Sequence, residues 1–243
     1  MNKKIIIMTL IFLTACTSAI PETTATLLPT ETLVPNSATQ TSLSNLTSNG
    51  PEVFIPTGAS PIIDGQLSPG EWDMAETVEL SNNGVLAFIY ADNAIYVAID
   101  ADVLGIVNVG ILRNDELWIL HSSAALGSAI YQSQDDGWKM IKTFDWCCRS
   151  TPNASEYEQL FSTEEWLSTN QYQGNQYQTE YKILIPSDGI FISVTYLYRD
   201  GSGAAFWPKT LEETDLLRFN SQPQVGDIAV FSSDQWAKLI VSD

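Results

Sequence analysis

The sequence predicts an all-β protein, an antiparallel β-sandwich of the jelly-roll or immunoglobulin-like kind with short peripheral helices. Three observations lead to this prediction. About nine short runs rich in β-branched and aromatic residues follow one another, turn-forming residues separate them, and no long helical period intervenes. Several runs are apolar on both faces, which is typical of strands inside a sandwich.

Each of these runs corresponds to a predicted strand. Residues 85–91 and 94–100 form a hairpin, because Asp92 and Asn93 between them tolerate the positive φ of a tight turn. Residues 190–199 are the run richest in β-branched and aromatic side chains. The other predicted strands are residues 106–112, 117–122, 138–144, 179–185 and 236–241.

Two short helices are expected outside the sheets. Ser68 is followed by a proline and, three positions on, by Glu71, which is the pattern of a helix N-terminus with a capping box. This helix would turn Trp72 and Ala75 inward. A second helix is expected over residues 162–167, which begin with Ser-Thr-Glu-Glu.

The first sixteen residues have the organisation of an export signal. Lys3 and Lys4 precede an apolar run over residues 5–13, which is too short to span a bilayer but has the length of a signal-peptide core. The following Leu-Thr-Ala-Cys resembles the lipobox of bacterial lipoproteins. This resemblance implies cleavage after residue 15, diacylation of Cys16, and a protein anchored by lipid on the extracytoplasmic face of the cell membrane. The alternative is an ordinary secretory signal with an incidental cysteine.

Residues 16–51 are expected to form the lipidated cysteine and a disordered tether. They are dominated by Thr, Ser, Pro and Asn, contain no aromatic residue, and bury too little to offset the entropy of ordering. Pro21, Pro29 and Pro35 favour extended segments that would hold the following domain away from the membrane. Residues 52–243 are long enough for one domain with a full core.

The charge limits the possible partners. The chain has a formal net charge of −18, and removal of Lys3 and Lys4 would leave 9 basic against 29 acidic residues, or −20. Nucleic-acid binders neutralise phosphates with Lys and Arg, so nucleic acid is not an expected partner. Docking on anionic lipid heads is disfavoured for the same reason. Divalent cations and neutral polymers remain compatible with this charge.

Cys147 and Cys148 are the only cysteines after Cys16. No CxxC pair exists, so a zinc site of the usual spacing is absent. Three states stay open for the pair: two buried thiols, a vicinal disulfide beside Trp146, or an intermolecular bridge.

A set of short motifs runs through the domain: Ile63-Asp64-Gly65, Gly70-Glu71-Trp72, Ala75, the strand 95–99 with Asp102, the strand 177–183 with a central Glu180, and Trp207-Pro208. With these motifs, residues 61–237 resemble family 9 carbohydrate-binding modules and the related DOMON-like domains. That resemblance implies a β-sandwich, saccharide binding in many members, calcium in some, and haem in others.

A polysaccharide or glycan is therefore the expected ligand, and sugars require flat aromatic faces with a few hydrogen-bonding groups. Trp146 and Trp207 are the best candidate platforms because they lie at strand ends or in loops beside polar residues. Trp138, inside a strand, is a further candidate. Arg113 and Asn114 at a hairpin tip could bond hydroxyl groups.

Calcium and haem are the two cofactors for which the sequence offers ligands. Asp100 and Asp102, spaced i and i+2, could combine with Asp64 to hold a structural calcium ion, which prefers hard oxygen ligands. Under an alternative haem-binding redox function, His121 would be an axial ligand with Met74 or Met140.

No catalytic residue is predicted, and the domain is expected to bind without catalysis. His121 is the only histidine, and the adjacent Ser122 should point to the opposite face of the strand. A third possibility is a structural or protein-interaction lipoprotein without a small ligand.

Overall fold

The computed structural model describes residues 48–80, 84–113, 115–149, 154–173, 176–185, 189–208 and 224–242. These residues form fourteen strands, one α-helix and a short 3₁₀ turn at Ser233–Gln235. The elements are β1 Glu52–Pro56, β2 Glu76–Glu79, β3 Gly84–Ala91, β4 Ala94–Ala101, β5 Gly105–Arg113, β6 Glu116–Ser122, β7 Ala125–Gln134, β8 Gly137–Arg149, α1 Ala154–Glu164, β9 Trp166–Gln173, β10 Gln176–Leu184, β11 Ile190–Tyr198, β12 Ala204–Trp207, β13 Ile228–Ala229 and β14 Ala237–Ser242.

The strands form two sheets, and the predicted all-β sandwich is confirmed. The nine-stranded sheet has the order β1-β14-β11-β5-β6-β7-β8-β13, with β12 also paired to β11. The five-stranded sheet has the order β2-β3-β4-β10-β9. Side chains from both sheets, such as Phe88 and Tyr181 from the smaller sheet and Val109 and Val194 from the larger, share one buried core.

Neighbouring strands pair antiparallel except at one edge of the larger sheet. There β1 lies parallel to the C-terminal strand β14, with five register pairs from Glu52–Lys238 to Pro56–Ser242. Just before β1, the Ser48 hydroxyl donates to the Trp236 carbonyl at 2.6 Å. The start of the described chain is therefore joined to its end.

All eight predicted strands overlap observed ones, and the hairpin turn is confirmed. Asp92 and Asn93 have φ of 48° and 60°, as expected for Asx residues in a tight turn. The strands that the sequence pattern did not predict are β1, β2, β7, β9, β12 and β13.

Both helix predictions are wrong. The segment after Ser68 forms turns because Gly70 has a φ of +87°, which interrupts a right-handed helix. Glu71 Oε2 nevertheless accepts from the Ser68 N–H at 3.3 Å, as in a capping box. The second helix was expected to begin at residue 162, but residues 162–164 are the last of helix α1, which ends at Glu164 because Trp166 is buried in strand β9.

A buried carboxylate links the segment around Gly65 to the smaller sheet. Glu180 lies in β10 and is fully buried. Its Oε2 accepts from the N–H groups of Asp64 at 3.1 Å and Gly65 at 2.7 Å, and its Oε1 accepts from Trp72 Nε1 at 3.1 Å. Burial raises the pKa of Glu180 to about 7, outweighing the lowering by these donors. Asp64-Gly65, Trp72 and Glu180, which belong to three separate motifs of the sequence, are thus joined in one hydrogen-bonded unit.

Candidate functional site

The face of the larger sheet that points away from the smaller sheet holds the candidate site. Side chains alternate along β5, so Val107, Val109 and Ile111 enter the core between the sheets. Asn108 and Leu112 point to the opposite side, which is called here the outer face. A second apolar cluster, which includes Met140 and Trp236, packs along this face.

One row of residues crosses six strands on the outer face. Cross-strand partners from β12 to β8 follow one another without interruption, so their side chains share one side of the sheet. The row consists of Phe206, Thr195, Asn108, His121, Gly127 and Trp146.

His121 lies at the centre of this row and is held by four contacts. Its Nδ1 is 2.8 Å from Asn108 Oδ1, and its Nε2 is 2.9 Å from the Ser123 hydroxyl. The imidazole meets Trp146 edge to face, with ring centroids 5.0 Å apart, and Phe144 at 5.9 Å. Burial lowers the pKa of His121 to about 4, so the ring is neutral at pH 7.

Trp146 presents an indole to solvent at the end of the row. Its side chain is 54% exposed, and it stacks on Phe144 with centroids 5.1 Å apart and planes 13° apart. Gly127 makes room for it, because a Cβ there would lie 2.8 Å from the indole. Phe144, His121 and Gly127 together therefore fix the indole in one orientation.

Several buried polar atoms on the outer face have no hydrogen-bond partner. Of five such atoms among the described residues, four lie on this face: Asn108 Nδ2, Ser193 Oγ, Thr195 Oγ1 and Trp236 Nε1. Ser193 pairs with Gly110, over which the Trp236 ring packs. Each unpartnered atom costs about 1–3 kcal/mol. All four can donate a hydrogen bond, but each of these atoms is buried, so none of them is presented to a ligand at the surface.

The predicted ligand residues are divided between this face and other places. Trp146 lies on it, and Trp138 is half-buried against the same apolar cluster. Trp207 was expected in an accessible place, but its ring is only 6% exposed and packs on Phe88 in the core, with centroids 5.1 Å apart. Trp207 therefore offers no face to a ligand. Asn114 lies outside the described residues.

Arg113 is occupied by structural contacts. Its guanidinium donates to the Leu184 carbonyl, lies 3.1 Å from Glu165 Oε2, and sits over the Trp118 ring at 5.3 Å. These contacts join β5 and β6 of the larger sheet to the end of β10 and to the residue after α1. Arg113 thus connects the two sheets at this end of the sandwich.

The three carboxylates predicted for calcium are not grouped as a metal site among the described residues. Asp64 Oδ1 accepts from the Gln66 N–H at 2.9 Å, and Asp102 is exposed beside a groove of about 500 Å³. Burial raises the pKa of Asp100; a hydrogen bond from Gln178 lowers it and Asp102 raises it. Across the described ranges, no group of three or more His, Cys, Asp or Glu is arranged to hold a metal ion.

The residues named for haem are also apart. Met74 is 68% exposed, away from the core. Met140 is buried beside Tyr131, which pairs with Leu117. Leu117 is four residues from His121 along β6, or roughly 13 Å at the rise of a strand. Both imidazole nitrogens are also already hydrogen-bonded.

Cys147 is exposed and disulfide-bonded, so it is not a buried thiol. The side chain of Cys148, like Cys16, lies outside the described residues. Cys147 borders a groove of about 490 Å³ between β8 and α1, together with Asp145 and Glu156. Glu164 also lines this groove and is ion-paired with Lys142 at 2.7 Å.

Asn108, Ser123 and Thr195 are site residues that sequence reasoning missed. A usable signal existed for two of them. Asn108 is the single polar side chain within Ile-Val-Asn-Val-Gly-Ile-Leu. A polar residue in such an apolar run indicates that its side chain has a hydrogen-bond partner on that face of the sheet. For Ser123 the signal was its spacing of two positions from His121, which puts both side chains on one side of a strand. Thr195 had no comparable signal, because its proximity depends on strand pairing.

In the part of the chain that the structure describes, no helix has the length and apolarity needed to cross a membrane. Comparisons with models of known protein families, with curated proteins and with solved structures found no match.

Proposed function

We propose that this protein is a lipid-anchored, saccharide-binding protein of the extracytoplasmic membrane face, and that a sugar ring stacks on Trp146. The observation that carries the proposal is an exposed indole held by Phe144, His121 and Gly127. Sugar rings present C–H faces that pack on aromatic rings, so a flat indole accessible to solvent is a suitable surface.

The platform is pre-organised, which favours binding. The Trp146 indole stacks on the nearly parallel Phe144 ring and contacts His121 in a T-shaped arrangement. Both nitrogens of His121 are themselves hydrogen-bonded. A side chain already held in its bound orientation loses little rotamer entropy when a ligand arrives.

Neutral hydrogen-bonding groups surround the platform. His121, which contacts Trp146, and Ser123, which contacts His121, are both half-buried, whereas Asn108 and Thr195 further along the row are buried. The imidazole is neutral, and the acidic chain would repel anionic polymers. These features favour a neutral saccharide over an acidic one.

The anchoring part of the proposal rests on the sequence around Cys16. A lipid anchor there, followed by the Thr- and Pro-rich segment over residues 17–50, would display the sandwich at a distance from the membrane. Saccharides of the cell envelope or its surroundings would then be within reach.

Affinity gel electrophoresis of the purified protein in gels containing neutral polysaccharides tests the binding. We expect retardation by at least one polysaccharide, loss of retardation in Trp146→Ala, and partial retention in Trp146→Phe, which keeps a flat ring. Trp138→Ala is a matched control because that ring is half-buried away from the row. Absence of retardation across neutral and acidic polysaccharides, or unchanged retardation of Trp146→Ala, would refute the proposal and favour a structural or protein-interaction role.

A further inference from the structure

Ser123, His121 and Asn108 form a continuous hydrogen-bonded line on the outer face. Ser123 follows His121 by two positions, so both side chains fall on the same side of the chain. The Ser123 hydroxyl lies 2.9 Å from Nε2, and Asn108 Oδ1 lies 2.8 Å from Nδ1. Ser122 points the other way, as alternation requires, and its hydroxyl donates to Asn170 at 3.1 Å.

We propose that Ser123, His121 and Asn108 act as a serine acyl-transfer triad that hydrolyses small carboxylic esters, an activity beyond saccharide binding. In such triads a nucleophile touches a base, and a third group orients the base; the arrangement is recognised by geometry, not by order in the chain. All three roles are filled here within hydrogen-bond distance.

The Asn108 oxygen selects the useful imidazole tautomer. Because Oδ1 can only accept, it places the proton on Nδ1 and leaves the lone pair of Nε2 facing the Ser123 hydroxyl at 2.9 Å, which is closer than that hydroxyl's other acceptor, the Ala125 carbonyl at 3.3 Å. Asn108 is a positioning residue in this scheme, since it touches His121 and not the ester. It is only 1% exposed, so water does not compete for its oxygen.

The reaction balances with an ester and water alone. Ser123 Oγ attacks the ester carbonyl carbon while its proton passes to His121 Nε2, and the C–O bond to the alcohol then breaks as Nε2 returns that proton to the leaving oxygen. Water next attacks the Ser123 acyl ester, gives its proton to Nε2, and the acid departs as the proton returns to Ser123.

The surroundings of the line suit a small, uncharged substrate. The side chains that contact the imidazole are Asn108, Ser123, Phe144 and Trp146, none of which carries a charge. The Ala124 N–H donates no hydrogen bond within the described residues. It belongs to the residue after the nucleophile, which commonly supplies one oxyanion donor.

Covalent labelling of the purified protein with an alkyl fluorophosphonate, followed by peptide mass spectrometry, tests the nucleophile. We expect a phosphonyl adduct on Ser123, with fluoride released, that is absent from Ser123→Ala and strongly reduced in His121→Gln. Ser133→Ala is the control, since Ser133 is exposed at the far end of β7. Absence of the adduct on a folded protein, or an adduct that persists in His121→Gln, would overturn the proposal.

Hydrolysis of p-nitrophenyl acetate supplies the kinetic test. We expect a burst of p-nitrophenol in the native protein, and a rate lower by about 10²-fold in Ser123→Ala and His121→Gln. The rate should stay level from neutral pH down to about pH 5 and fall through about pH 4, where His121 becomes protonated. A rate that falls near pH 6.5, as for an ordinary histidine, would contradict the assignment. Loss of gel retardation in Trp146→Ala reports on saccharide binding, whereas the Ser123 adduct reports on the triad, so failure of one proposal is distinguishable from failure of the other.

Discussion

The buried Glu180 carboxyl predicts an unusual dependence of stability on pH. Its folded-state pKa of about 7 lies above the ordinary value of 4.5, so folding favours the protonated form. The stabilisation from this proton is complete below pH 4.5 and is lost as the pH rises through 7. The difference between the ordinary pKa of 4.5 and the folded-state pKa of about 7, at about 1.36 kcal/mol for each pKa unit, corresponds to about 3 kcal/mol of folding stability.

Glu180→Gln isolates this contribution. The amide has nearly the same shape as the protonated acid and does not titrate, whereas the other titrating groups contribute equally to both proteins and cancel. We expect the native protein to lose about 3 kcal/mol relative to the glutamine variant between pH 4.5 and pH 8. The free energy of unfolding in urea, followed by tryptophan fluorescence at several pH values, measures this difference.

Glu76→Gln provides the control, because Glu76 is exposed on the edge strand β2. Its stability should follow that of the native protein at every pH. If the Glu180→Gln and native proteins gave parallel curves, the carboxyl would titrate alike in the folded and unfolded states. If the native protein instead gained stability relative to the variant as pH rose, the three donors would outweigh burial, and the sign of the argument would be wrong.

Three further changes test the core, the platform and the anchor. Trp207→Ala should lower the free energy of unfolding by about 3–5 kcal/mol because it leaves a cavity beside Phe88, while the folded variant retains saccharide binding; calorimetry and gel retardation measure the two effects. Gly127→Ala should displace the Trp146 indole, whose nearest atom lies 2.8 Å from the added carbon. Saccharide binding should weaken, and the free energy of unfolding should fall by about 1–3 kcal/mol. Unchanged gel retardation would contradict the role given to Gly127. Cys16→Ser should abolish incorporation of labelled fatty acid and release the protein from the membrane fraction.

The fold was largely predictable because its signals are local. The hairpin around Asp92 follows from an Asx turn between two apolar runs, and both strands formed as expected. The helix predictions failed where one residue overrode a local pattern: Gly70 adopts a left-handed conformation, and Trp166 is needed in the core. Strand β7 was missed because Ala-Leu-Gly-Ser-Ala contains few residues of high β propensity.

The candidate site was much less predictable because it is assembled across strands. Trp146 could be singled out by its type and its polar neighbours. Phe144 lies two positions before it on the same strand, so alternation along β8 brings these two rings together. His121 and Gly127, in contrast, meet Trp146 only through the register of β6, β7 and β8. Asn108 comes from a fourth strand. One slip of register would turn each of these side chains to the other face of the sheet.

The parallel pairing of β1 with β14 has a mechanical consequence. A pull on the segment that precedes residue 48 acts along the axis of β1, across hydrogen bonds that run roughly perpendicular to it. Five register pairs are then loaded together in shear, instead of opening one after another as in a zipper. The sandwich would thus bear tension through β14, and a chain truncated before Ala237 would lack the strand that pairs with β1.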